Sequence, residues 1–189
     1  MPGISVQDWD TTLVSSAVDG SAVTGTAAAS LLPAASRLTI APGFFSRAGQ
    51  VLRIHAAGRV SNIVTTPGTL TLTANLGPTS NIAVWSSGAI ALNTTAKTNV
   101  SWILDLELTL RAIGAGTATD WIGVGQWTSE SVVAAAAGTA VSVLCPASAP
   151  AVGTGCDSTV ANILDLQATF SLTGNSMTLH QYTAEAINS

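Results

Sequence analysis

Two histidines, ten carboxylates and two cysteines are the groups through which this 189-residue chain could carry out acid–base, metal or redox chemistry. Asp105 and Glu107 stand two apart, which on an extended strand puts both on one face with side-chain roots about 7 Å apart. Glycoside hydrolysis needs two carboxyl groups about 5–10 Å apart across a cleft, so the spacing permits that chemistry. Their setting, between Ile103 and Arg111 on an alternating strand, reads instead as a solvated or interfacial face. His55 and His180 each fall on a strand-like run, and a zinc site there would need a third ligand brought in by the fold. Both are read as surface or interface histidines. There is no G-x-S-x-G elbow, G-x-G-x-x-G loop or Walker lysine. An enzyme is not expected, nor is any cofactor or metal.

Cys145 and Cys156 bracket the stretch CPASAPAVGTGC. A disulfide here would close a short loop and stabilise the fold by about 2–3 kcal/mol on the loop-entropy account. In a reducing cytosol the same pair stays as two thiols. Both states remain open from the sequence.

The elements that must position these groups are strands. Residues 101–114 read SWILDLELTLRAIG and residues 161–174 read ANILDLQATFSLTG. In the first, Leu104, Leu106, Leu108 and Leu110 alternate with Asp105, Glu107 and Thr109. In the second, Leu164, Leu166, Ala168, Phe170 and Leu172 alternate with Asp165, Gln167, Thr169 and Ser171. A period of two means a strand with one buried face. The near-copies are read as two equivalent positions in one β-sandwich, being too short and isolated for a solenoid repeat.

Further strands are expected over 37–45, 50–64, 65–77, 81–92, 120–133 and 176–188, punctuated by turn signals such as PG, NLGP, SSG and GAG. Trp121 and Trp127, on the run 120–133, are candidate interface anchors beside Asp105, Glu107 and Arg111, with core packing as the alternative. One helical turn fits 27–36 before Pro33 interferes. Eight or so strands without parallel crossovers give an all-β, antiparallel β-sandwich, with a jelly roll favoured over an immunoglobulin-like type. Residues 1–28, rich in small residues and carrying Trp9, read as an extended N-terminal arm. An edge strand near 11–18 is the alternative. Residues 29–189 form the single sandwich domain.

Hydrophobic residues make up 47% of the chain and charged residues only 8%, against about 25% charged in an average domain. So neutral a surface does little to oppose association and suggests cover by neighbours. With net charge −4, one lysine and five dispersed arginines, the chain is poorly suited to neutralise phosphates. No nucleic-acid partner is expected. The N-terminal residues lack a basic and apolar leader pattern and no run is long enough for a membrane-spanning helix, so synthesis in the cytoplasm without membrane insertion is expected.

Four stretches, residues 29–62, then TPGTLTLTANLG, then AKTNVSWILDLELTLRAIGAGT, then DSTVANILDLQATFSLTGNSMTLHQYTAEAIN, resemble small jelly-roll structural proteins of tailed bacteriophages. The shared signatures are a G-x-x-L-R-[IL] strand before a Pro-Gly hairpin and a closing strand bearing H-Q-Y. The resemblance covers nearly all of the chain after residue 28 and brings no catalytic residue with it. It implies a virion protein, most often a capsid decoration (cement) protein. Such a protein binds the shell as a homotrimer, with sister subunits and the major capsid protein as partners. A tail or fibre component binding a host glycan and a free carbohydrate-binding module are the rivals.

Overall fold

The computed structural model describes residues 10–187. Among them the strands are β1 (Asp10–Ser15), β2 (Ala29–Ser30), β3 (Leu38–Ile40), β4 (Val51–Asn62), β5 (Thr69–Leu76), β6 (Ile82–Ser86) and β7 (Ile90–Ala91), followed by β8 (Lys97–Ala112), β9 (Thr119–Ser129), β10 (Val141–Cys145), β11 (Val152–Cys156), β12 (Asn162–Phe170) and β13 (Ser176–Ile187). They form two antiparallel sheets. One runs β1-β13-β4-β8-β9, and beyond β9 its edge is shared end to end by β10 and β11. In the other, β2 and β3 flank one side of β12, β5 follows, and β6 and β7 share the far side of β5.

The two ILDL runs become the inner strands β8 and β12, one in each sheet. Leu104, Leu106, Leu108 and Leu110 of β8 are at most 1% exposed, and Leu164, Leu166, Ala168 and Phe170 of β12 are fully buried in the same core. Burying each such large side chain is worth about 1.5–3 kcal/mol. Leu172 departs from the expected alternation: β12 ends at Phe170, and Leu172 sits 44% exposed in the turn beyond.

Large and small residues interlock across this core. On β9 the inward positions run Trp121, Gly123, Gly125, Trp127. A Cβ on Gly123 would lie 2.4 Å from Leu108 Cδ2 and 2.7 Å from Trp85 Cδ1, so the glycine makes room for both side chains. At the edge, β11 lies against β6 so closely that a Cβ on Gly153 would stand 2.1 Å from the Val84 carbonyl oxygen. This approach draws the margins of the two sheets together.

The segment expected to be an arm divides. Residues 10–15 are the edge strand β1, paired with β13 from Asp10↔Ile187 to Ser15↔Thr183. Val23 bridges Met177 and is buried. Trp9 lies outside the described residues. The helical turn expected in 27–36 appears as a 3-10 turn at Ala34–Ser36, after Pro33 rather than before it.

A buried polar network closes one end of the sandwich. Asn62 donates from Nδ2 to the carbonyls of Asn93 (2.6 Å) and Thr95 (3.0 Å), and accepts from Ser131 Oγ at 2.6 Å. Lys97 Nζ meets Glu130 Oε1 at 2.6 Å, with side chains 7% and 22% exposed. The Gly138 N–H donates to the same carboxylate oxygen at 2.9 Å. The Lys97 hydrogen bond first, then that of Gly138, holds the Glu130 carboxyl below its ordinary range.

Two measurements check this account. Leu166→Ala should lower unfolding free energy in urea by about 2–5 kcal/mol, the usual cost of a Leu-to-Ala core cavity. For Glu130 the folded pKa is depressed. Its contribution is therefore present above the unfolded carboxylate pKa and lost as pH falls through the folded value. The stability gap between wild type and Lys97→Met should thus be widest near neutral pH and shrink in acid. A gap independent of pH would refute it.

Candidate functional site

The larger of the two sheets, with seven strands, has an outer face whose display strand alternation dictates. With Leu52, Ile54 and Ala56 turned inward on β4, Arg53 and His55 point outward. With the leucines of β8 inward, Asp105 and Glu107 point outward beside them. Register then builds two rows across the sheet, Glu185–Arg53–Glu107–Val124 and Thr183–His55–Asp105–Gln126–Leu144. A column of basic residues on β4, Arg53 and His55, therefore lies against a column of acidic residues on β8.

The pairs are made. Arg53 donates from Nη2 (2.7 Å) and Nε (3.1 Å) to Glu107 Oε1, and His55 Nδ1 lies 2.7 Å from Asp105 Oδ1. The hydrogen bond to Glu107 raises the Arg53 pKa above its already high ordinary value. All four side chains are about half exposed or more. Exposed pairs of this kind contribute about 0–1 kcal/mol, so they pattern the face more than they hold the fold. Arg111 is exposed at the far end of β8, away from these pairs.

Next to the charges runs a fringe of exposed apolar side chains: Val124 on β9, Leu144 on β10 and Val152 on β11, with Ile103 on β8. Arg53, Asp105, Glu107, Val124, Gln126 and Leu144 together line an open depression of ≈ 340 Å³. Sequence reading missed this fringe. Its signal was the alternation of Ile122 and Val124 with inward glycines in DWIGVGQW, where the two tryptophans drew attention instead.

Trp121 and Trp127 are not part of the face. Both are fully buried, and Trp121 packs edge-on against Phe45 with ring centroids 4.7 Å apart. They point inward because they share the core side of β9 with Gly123 and Gly125. Trp85, 5% exposed, lines a groove of ≈ 400 Å³ with Gly123, Pro146, Ser148 and Val152, between β6 and the loop joining β10 to β11.

The disulfide alternative is also corrected. Cys145 pairs with Gly125 and Cys156 with Thr119, at two different heights along β9. Six strand positions (from 119 to 125) amount to about 20 Å, well beyond the ~7 Å between α-carbons that a disulfide spans. Both are free, buried thiols, each pushed up to about 11 chiefly by burial. His180 lies 2.9 Å from Asp19 Oδ1, on the side of the sheet remote from β9. Among the described residues no three of His, Cys, Asp and Glu gather into a metal site.

Native protein at mildly alkaline pH should react only slowly with a thiol reagent such as DTNB, and denatured protein should show both thiols at once. Finding the chain intramolecularly oxidised after purification without reductant would contradict the strand placement.

Against this geometry, no family model, curated protein or solved structure matches the chain.

Proposed function

We propose that this chain is a bacteriophage virion structural protein, a capsid decoration protein that binds the shell as a homotrimer and stabilises it. The observation that carries the reading is the outer face of the seven-stranded sheet. A basic column (Arg53, His55) and an acidic column (Asp105, Glu107) lie beside exposed Val124, Leu144 and Val152, in a chain with only 8% charged residues. Such a face offers apolar contact area and a charge pattern that fixes register against a partner, the combination through which interfaces gain both affinity and specificity.

The jelly-roll assignment belongs to the same proposal. The arch from β4 to β5 crosses between the sheets, as does the arch from β12 to β13, and the two arches pair strand for strand, β4 with β13 and β5 with β12. Rolled pairing of this kind supports it. Because β1 and Val23 are built into the sandwich, the contact arm of this reading is confined to residues 1–9, with Trp9 as its anchor. Repetition over a symmetric shell turns modest single contacts into avidity.

The groove beside Trp85 favours a second reading, a tail or fibre protein gripping a host glycan, though little of the indole is exposed to stack on a sugar. Copy number in purified virions, measured by quantitative mass spectrometry against the major capsid protein, separates the two. Decoration expects hundreds of copies. Between three and a few dozen would move the protein to the tail, and none would end the virion reading. Deleting residues 2–9 should weaken particle binding and leave the thermal transition of the sandwich unchanged.

A further inference from the structure

The two ILDL strands send their aspartates into opposite surroundings. Asp105 stands on an open face beside His55, whereas Asp165 is 1% exposed on the outer side of the six-stranded sheet. Ser30 of β2 donates from Oγ to Asp165 Oδ1 at 2.5 Å. Gln167 Nε2 donates to Oδ2 at 3.1 Å, and Ser80 Oγ lies 3.5 Å from Oδ2. These partners are all neutral. An ionised carboxylate held inside a protein by neutral groups alone is costly.

Directly across the ladder from Asp165 is Asn75 of β5, 6% exposed. Its Nδ2 donates to the Ser80 carbonyl at 3.1 Å, and the same carbonyl accepts from Gln167 Nε2 at 3.3 Å. Two donors occupy the two lone pairs of that carbonyl. The Asn75 amide is thereby fixed in orientation, since turning it over would set its oxygen against the carbonyl oxygen. Asn75 Oδ1 is left buried with no donor among the described residues.

The turn over 77–81 completes the enclosure. The Ile163 N–H donates to the Gly77 carbonyl at 2.8 Å, which ties the turn to β12. Ser80 adopts a left-handed φ of 51°, and both its carbonyl and its hydroxyl engage this cluster. The result is a buried cluster of oxygen atoms in which Asp165 is the one carboxyl group and Asn75 Oδ1 the acceptor left without a donor. Oxygen-only ligation suits hard cations. One carboxylate balances one positive charge, whereas a divalent ion would leave an uncompensated charge buried.

We propose that Asp165, Asn75 and Ser80, at the 77–81 turn, form a binding site for a monovalent hard cation, for which sodium is the probe. The ion would join the β5–β6 turn to the middle strand of the six-stranded sheet. The inference is independent of the virion proposal and stands or falls separately.

The test is thermal unfolding of the full chain in sodium chloride and in choline chloride at equal ionic strength. A stabilising ion at about 100 times its dissociation constant raises the midpoint of a domain this size by roughly 5–10 °C. Wild type should show a saturable, sodium-dependent rise. Asp165→Asn should lose the dependence, and Ser80→Ala, changed in the turn rather than in a strand, should weaken it if the first variant does not fold. Equal midpoints for wild type in the two salts would overturn the site and leave water as the occupant of the cluster. A sodium effect of unchanged size in the variants would overturn it as well.

Discussion

Everything in this molecule depends on one shared apolar core, into which the leucines of β8 and the Leu–Leu–Ala–Phe face of β12 both turn. Because side chains alternate, committing one face of each strand to this core also decides what the opposite face shows to water. Arg53, His55, Asp105 and Glu107 occupy their places on the open sheet since their neighbours along the chain were claimed by the core. A slip of one residue in β8 would bury Asp105 and Glu107 and expose its leucines.

Much of this was legible in the sequence. The long strands β4, β5, β8, β9, β12 and β13 were visible because each carries four or more alternating positions. The short strands β2, β10 and β11 were not, for they have between two and five residues, while β1 entered only as the alternative edge strand and β7 was merged with β6 in one run over 81–92. The orientation of Trp121 and Trp127 could have been inferred from the glycines that share their face, which leave cavities only large rings and neighbouring leucines fill. The separation of Cys145 from Cys156 could not, since it follows from where two strands dock along a third. The tetrapeptide ILDL makes the same point: identical residues fix the inward face in both copies, yet one aspartate is solvated and the other enclosed. That difference is made by Ser30 and Ser80, which lie far from Asp165 in sequence.

Scarcity of charge gives the few charged groups unequal work. Lys97 and Glu130 sit within a nearly dry network and tie the start of β8 to the turn after β9, so their removal is felt by the fold. Arg53, Glu107, His55 and Asp105 lie in water, where the same pairings count for little energetically and act as a pattern a partner can read. Asp165 belongs to neither group, since its carboxyl is enclosed with neutral partners.

The margin of β9 has a further consequence. An open sheet edge is a template for uncontrolled strand addition between molecules. Here that edge is divided between two strands of five residues each, β10 and β11, with the 146–151 connection between them and β11 turned against β6. No ladder on that side stays straight for long enough to recruit a foreign strand. A chain this poor in charge has little electrostatic repulsion to keep it from aggregating, and the broken margin provides a geometric safeguard in its place.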